Sequence, residues 1–274
     1  MTETIENIRP FLRWAGGKQW LLSDLSKYLP NIINNYHEPF LGGGAIFVYL
    51  KTNGLISGKS FLSDLNDDLI NAYVTIRDDL PSLTKKLKQF ENTEKEYYNV
   101  RKKQLRSSIS RAAQFIFLNR TSFNGIYRVN LDGQYNVPYG NKKYLTLFDY
   151  ENFKNLSNYF YDCEFRSVDF FETIDNIKGG DLVFLDPPYT VAHEHNGFVK
   201  YNQKIFEWKD QIRLREYIEI LKERKVNIIL TNAAHQSIED LYRNIGKRFK
   251  VSRFSVIGGL KAKRKKYNEL VFVA

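Results

Sequence analysis

Asp181-Leu182-Val183-Phe184-Leu185-Asp186-Pro187-Pro188-Tyr189 sets four apolar residues before a carboxylate, two prolines and an aromatic ring. A short apolar run ending in acidic or turn residues predicts a sheet strand. Outward from it, comparable runs end in acidic or turn residues at Tyr36 to Phe40, Ser60 to Asp64, Glu164 to Asp169, Val226 to Thr231, Val251 to Ile257 and Leu270 to Val273. Segments with helical spacing lie between several of these, at Trp20 to Leu29, Ala45 to Leu50 and Gln211 to Arg224. Strands alternating with helices predict an α/β chain built on a mostly parallel sheet.

The middle of the chain reads differently. Leu69 to Leu118 has no strand-like run and predicts charged helices, including Glu94 to Gln104 and Ile109 to Leu118. Asn119 to Gly140, NRTSFNGIYRVNLDGQYNVPYG, is rich in turn residues and aromatics. Within it, Tyr127 to Asn130 and Gln134 to Val137 flank Leu131-Asp132-Gly133, which predicts a β-hairpin. The expected organisation is an α/β domain of residues 1–68 and 150–274, interrupted by a helical insertion of residues 69–149 that carries the hairpin.

The chain has 274 residues, 43% of them hydrophobic, which is enough for a sizeable core without disulfide or metal staples. Its single cysteine, Cys163, excludes an internal disulfide framework and fits a reducing compartment, so the cytoplasm is the expected location. The acidic start MTETIENIRP is unlike a signal peptide, and no run approaches the ~20 apolar residues of a membrane span. The formal net charge is +10, and residues 69–149 hold 14 Lys or Arg against 7 Asp or Glu, a net +7. A basic excess gathered in one segment is the footprint expected of phosphate binding and favours a nucleic-acid partner over a generally basic surface.

Three constellations carry chemistry. In the first, Asp186 to Tyr189, ligands are expected at the carboxyl end of the strand. Prolines hold the backbone and lack amide hydrogens, so this segment presents acceptors. Acceptors are what alkylation of a nucleobase amino group requires, because that nitrogen's lone pair is delocalised into the ring. The Asp186 carboxylate and the Pro187 carbonyl could each take a hydrogen bond from the NH2, favour a tetrahedral nitrogen and aim its lone pair at an electrophilic methyl. Tyr189 would stack on the base. The bland alternative is a tight proline turn with a solvated aspartate.

In the second, Glu38-Pro39-Phe40-Leu41-Gly42-Gly43-Gly44-Ala45, glycines allow close approach to a ligand and the helix start offers amide donors to an anionic group. Tight packing or a dinucleotide phosphate site would produce the same pattern. Asp64, ending the next strand, is placed for ribose hydroxyls of either a nicotinamide or an adenosyl cofactor. The third, Arg13-Trp14-Ala15-Gly16-Gly17-Lys18, departs from a phosphate loop in its glycine spacing and in having Gln19 after the lysine, which disfavours a nucleoside triphosphatase; its indole and ammonium could cover a cofactor or be a core tryptophan and a surface lysine.

FLRWAGGK, EPFLGGGAIF, SDLNDDLI, RTSFNGIYRVNLDGQYNVPYG and DLVFLDPPY occur in an order that resembles the Dam-type, D12 class DNA adenine methyltransferases, from Phe11 to at least Tyr189. The resemblance implies a Rossmann-like S-adenosylmethionine-dependent methyltransferase sheet with an inserted helical DNA-recognition domain carrying a β-hairpin. It also implies that Trp14, Lys18, Asp64 and Asp186 contact S-adenosylmethionine, that Phe40, Gly42 and Gly44 form the FxGxG-like turn, and that Asp186, Pro187, Pro188 and Tyr189 are catalytic. Asp169 matches the position expected to touch the cofactor adenine, with Phe170 beside it, although a strand-end aspartate next to core phenylalanines reads equally well. On the DNA side, Arg13 and Arg128 resemble base-reading residues, Arg128 fitting a bidentate guanine contact. Phe123 and Asn124 are similar to residues that wedge into the stack and hold the orphaned base, a need set by the cost of flipping an adenine from the duplex. Ile126 and Pro138 complete the reading face, whereas Tyr139 reads better as part of the hairpin's own core.

The implied activity is methyl transfer from S-adenosylmethionine to adenine N6 in double-stranded DNA, within GATC, leaving S-adenosylhomocysteine. Adenine in single-stranded DNA or RNA, a protein glutamine amide, and a catalytically silent DNA-binding module are the rival readings. A monomer is expected, encoded by a bacterium, an archaeon or a phage, with no membrane partner and with a functionally paired restriction endonuclease that forms no stable complex. No metal is expected: His193 and His195 flank Glu194 without a third plausible ligand. Phe198 and Tyr201 in the same loop could line the flipped-base path, and Lys261 to Lys266 could track phosphates or form a solvated hairpin tip.

Overall fold

In the computed structural model, which describes residues 8–130, 133–142, 146–191, 206–254 and 266–274, the strands are β1 (Tyr36–Glu38), β2 (Ser60–Asp64), β3 (Cys163–Ser167), β4 (Leu182–Leu185), β5 (Asn227–Ala233), β6 (Lys247–Phe254) and β7 (Lys266–Val273). The described α-helices are α1 (Ala45–Thr52), α2 (Asp67–Asp78), α3 (Leu80–Leu87), α4 (Glu94–Lys102), α5 (Ser108–Thr121), α6 (Tyr150–Phe160), α7 (Trp208–Glu223) and α8 (Gln236–Leu241). The fold is α/β, with a seven-stranded mixed sheet in the order β3-β2-β1-β4-β5-β7-β6. β1 runs parallel to β2 and β4, and β4 runs parallel to β5. β7 is antiparallel to both β5 and β6.

Connectivity turns back between β1 and β4, since β2 follows β1 on one side and β4 lies on the other. Such a reversal opens a crevice at the carboxyl ends of the strands, where ligands of open α/β sheets bind. All four residues of β4 are buried, as its uninterrupted apolar run requires. Leu214, Tyr217, Ile218 and Leu221 of α7, spaced as one helix face, pack with Val183, Leu185, Ile228, Leu230, Leu270 and Phe272 of the sheet.

The chain divides into two compact units, one of Met1–Gln19, Gly42–Gly54 and Asn66–Ser167, the other of Trp20–Leu41, Leu55–Leu65 and Val168–Ala274. The first holds α1 to α6. There Asn66, Asp79, Thr93, Ser107 and Asp149 cap α2 to α6 in turn by accepting a backbone amide. No helix among the described residues is long and apolar enough to cross a membrane.

Three expectations need correction. Trp20 to Leu29 is not one helix: two 3-10 turns, Lys18–Leu21 and Leu25–Lys27, bury Leu21, Leu25 and Tyr28. Ser23 and Asp24 lie between the turns, and the backbone bonds span three residues, as from the Asp24 amide to the Leu21 carbonyl and from the Lys27 amide to the Asp24 carbonyl, the short-range pattern of 3-10 turns. The hairpin is present but shorter than expected: among the described residues its bridge is Val129 to Tyr135, with backbone bonds from the Asn130 amide to Gln134 at 2.9 Å and from the Asn136 amide to Arg128 at 3.1 Å. Asn130 also accepts the Gln134 amide on its side chain at 2.8 Å, a local bond that competes with further ladder pairing. β6 begins four residues before the expected Val251, because its lysines and arginines suit an exposed edge strand and mask the apolar pattern.

Candidate functional site

In the second unit, β4 delivers Asp186 just past its carboxyl end. Thr231, fully buried on β5, donates from Oγ1 to Asp186 Oδ1 at 2.7 Å. The register pairs Leu185 with Leu230, so Thr231 is set beside Asp186 by strand pairing alone. Pro187 is buried, and Pro188 and Tyr189 are half-buried. The Tyr189 hydroxyl donates to Glu269 Oε2 at 2.5 Å. Thr190 donates to the Phe206 carbonyl at 3.2 Å and accepts Gln211 Nε2 at 3.0 Å. Gln211 Oε1 in turn accepts Asn232 Nδ2 and the Tyr242 hydroxyl. A carboxylate, two prolines and an aromatic ring are therefore mounted on a buried polar network.

Asp64 stands half-buried at the carboxyl end of β2, and the Leu41 amide donates to the Ser63 carbonyl at 2.9 Å, tying the turn after β1 to β2. Phe40 lies with its ring centroid 5.3 Å from Phe170 and 5.7 Å from Phe206. Asp169 caps the 3-10 turn Phe170–Asn176 by accepting the Phe171 amide, and it takes a hydrogen bond from Arg213 Nη2 at 2.8 Å. Arg213 also lies over the Phe170 ring, 5.1 Å from its centroid. Asp169, Phe171, Glu172, Arg213 and Glu216 line an open cavity of about 440 Å³.

In the first unit, Gly42 and Gly44 adopt φ of +47° and +65°, Gly44 standing as N-cap of α1. A Cβ on Gly42 would lie 2.7 Å from Trp14 Cδ1 and Nε1, so the glycine is what lets the indole rest on the turn. The indole stacks on Tyr127 at 5.7 Å, and Phe115 packs against both rings. Lys18 is 4% exposed and donates to the Gly16 carbonyl at 2.8 Å.

The base-reading candidates of the first unit share a scaffold. Buried Asn119 accepts the Arg13 amide at 2.9 Å and donates to the carbonyls of Arg13 and Gly125. A Cβ on Gly125 would meet Arg13 Cβ at 2.5 Å, so the arginine stem lies directly on the turn that carries Phe123 and Asn124. Arg13, Phe123, Asn124, Arg128 and Pro138 are exposed, and Ile126 is half-buried. Phe123 exposes 48% of its surface on a turn where Asn124 takes φ of +55°. The Phe123 amide donates to the Pro138 carbonyl at 2.9 Å, joining the two ends of the segment. Arg128 Nε donates to Asn136 Oδ1 at 2.7 Å. Tyr139 packs outside the hairpin, its ring 5.5 Å from Tyr97 and its hydroxyl bonded to Asn92. Lys142 Nζ donates to the Ser122 carbonyl, and burial, reinforced by Arg13 and Arg120, pushes its pKa down to about 8.

Residues 14–257 match the family described as D12 class N6 adenine-specific DNA methyltransferases. The chain belongs to that family. It is similar to the type II methyltransferase M1.LlaDCHI of Lactococcus lactis subsp. cremoris, 33% identical with 97% of this chain and 95% of the relative covered. The type II methyltransferase M.MjaIII of Methanocaldococcus jannaschii is 36% identical, over 82% of this chain and 84% of its own. DNA adenine methylase of Escherichia coli K12 is 32% identical, over 82% and 80%. This D12 methyltransferase is thus an adenine-specific DNA-modifying enzyme.

Sequence reading missed Thr231, Glu269, Gln211 and Asn119, which hold the candidate residues from behind. Their one signal is polarity inside apolar strands or helices, as in Ile229-Leu230-Thr231-Asn232. His193, Glu194, His195, Phe198 and Tyr201 lie outside the described residues, as do Leu131 and Asp132. So do residues 261–265 of the basic cluster, whereas the backbone of Lys266 opens β7.

Proposed function

We propose that this D12 methyltransferase transfers the methyl group of S-adenosylmethionine to N6 of an adenine flipped out of duplex DNA, within GATC. The observation that carries the reading is Asp186, set at the carboxyl end of a buried parallel strand, held by Thr231 and followed by Pro187, Pro188 and Tyr189. The Asp186 carboxylate and the Pro187 carbonyl accept hydrogen bonds from the adenine amino group, fixing the nitrogen and localising its lone pair. Tyr189 stacks on the base. When bound, S-adenosylmethionine would supply an electrophilic methyl, its S–CH3 bond breaking as the N6–CH3 bond forms to leave S-adenosylhomocysteine, and the amino group would lose one proton to water.

The residues present suit that cofactor. In the first unit, the left-handed backbone at Gly42 and Gly44 is compatible with close approach of a carboxylate to the free amides of α1, and Trp14 and Lys18 are proposed to contact it. In the second unit, Asp64 is suited to ribose hydroxyls and Asp169 to the adenine, with Phe40 and Phe170 as apolar walls.

We assign residues 69–149 to target recognition and residues 1–68 and 150–274 to catalysis. The net +7 of the insertion and the exposure of Phe123, Asn124 and Arg128 support this. Arg128 reads guanine, Arg13, Ile126 and Pro138 complete the reading face, and Phe123 and Asn124 occupy the space the flipped base leaves. The relatives named type II methyltransferases support a functional pairing with a restriction endonuclease. The test is labelled-methyl transfer into duplexes with and without GATC by wild type and Arg128→Ala. Label confined to GATC duplexes for wild type, with preference relaxed in the variant, is expected. Equal labelling of both duplexes by wild type refutes the site, and label only in single strands or RNA refutes the duplex.

A further inference from the structure

Glu269 is a carboxylate 1% exposed in the middle of β7, opposite Ala233 of β5 and Val251 of β6. Strand alternation turns it to the face opposite Leu270, which packs in the main core. An ionised group in such a place is unfavourable unless it is hydrogen-bonded, so its partners indicate why it is there. One partner is the Tyr189 hydroxyl, 2.5 Å from Oε2. The hydroxyl is the donor of this bond and the carboxylate oxygen its acceptor.

Tyr189 is thereby held at both ends. Its main chain runs from the two prolines to Thr190, which is anchored to Gln211 and the Phe206 carbonyl, while the far tip of its ring is anchored to Glu269. Phenylalanine would present the same ring face to a base, so stacking by itself does not require a hydroxyl. The hydroxyl and the buried acid together fix the plane and tilt of the ring.

We propose that Glu269 is a positioning residue for methyl transfer: by accepting the Tyr189 hydroxyl it sets the ring against which the target adenine is aligned. The proposal rests on the reading that Tyr189 stacks on the flipped base. Loss of the bond leaves the ring present and free to tilt, so the amino nitrogen is less often in line for attack.

The test combines turnover with the fluorescence of duplex DNA carrying 2-aminopurine at the target position, which stacking quenches. Glu269→Leu is expected to lower kcat roughly tenfold, the scale of one hydrogen bond to a charged group, to leave KM for S-adenosylmethionine unchanged and to brighten 2-aminopurine. Glu269→Gln, which keeps an acceptor, is expected to restore kcat to within about threefold of wild type. Tyr189→Phe is expected to match Glu269→Leu, and the double variant to be no worse than either single one. Wild-type kcat and fluorescence in Glu269→Leu, or equal loss in Glu269→Gln, would overturn the proposal. Should Glu269→Leu fail to fold, Tyr189→Phe decides alone, since it cuts the bond and keeps the ring; wild-type kcat and fluorescence there overturn it too. Tyr189→Ala tests the stacking reading separately: full activity in that variant refutes stacking, whatever Glu269 does.

Discussion

Replacing Gly42 by alanine should destabilise the protein by about 2–4 kcal/mol, from two sources that can be measured apart. The first is backbone strain: Gly42 sits at φ of +47°, where an L-residue costs about 1 kcal/mol. The second is overlap, because the new methyl would lie 2.7 Å from two atoms of the Trp14 indole. Overpacking of this kind costs roughly 1–3 kcal/mol. Gly54 supplies the control, with φ of +62° and nothing within 4 Å of where an alanine methyl would stand. Gly54→Ala should therefore lose only the backbone contribution, about 1 kcal/mol. Urea unfolding gives both values, and repeating Gly42→Ala in a Trp14→Ala background should bring its cost down to that of Gly54→Ala. Equal costs for the two glycines, or a Gly42→Ala cost that persists without the indole, would refute the steric argument. The same indole stacks on Tyr127, so Gly42→Ala should also weaken DNA binding, whereas Gly54→Ala should not.

Three other substitutions separate chemistry, flipping and charge. Thr231→Val removes the donor to Asp186 and should lower single-turnover methyl transfer about tenfold with DNA affinity unchanged. Phe123→Ala, at an exposed position, should cost less than about 0.5 kcal/mol in urea unfolding, while lowering the 2-aminopurine signal of the flipped base. Lys142 has a folded pKa of about 8 against an ordinary 10.5, so the unfolded chain binds more protons between those values. Wild-type stability should consequently rise as pH increases through that window. Lys142→Met should lack that rise and gain most at pH 7, where the wild-type charge faces Arg13 and Arg120; urea unfolding from pH 7 to 10.5 checks the sign.

The parallel core is legible in the sequence because its strands are short apolar runs: β2 has the predicted bounds, and Asp186 follows β4 as expected. Helices α4 and α5 are equally legible from apolar spacing within charged sequence. What escapes is structure made by hydrogen bonds between distant residues. Asn119 sits 106 positions from Arg13 and Glu269 sits 80 from Tyr189, separations at which no local pattern links the partners. The start of β6 escapes because an edge strand exposed to water needs no apolar alternation. Trp20 to Leu29 misleads because Leu21, Leu25 and Tyr28 have helical spacing yet are buried by two shorter turns.

The central claim is that Asp186 acts on an adenine amino group, and it is tested most directly by digesting labelled product DNA to nucleosides and identifying the methylated one. Wild type with S-adenosylmethionine should place the label in N6-methyldeoxyadenosine, and Asp186→Ala should place none while unfolding at a similar urea concentration. Label in a cytosine nucleoside, or undiminished N6 labelling by Asp186→Ala, would contradict the account.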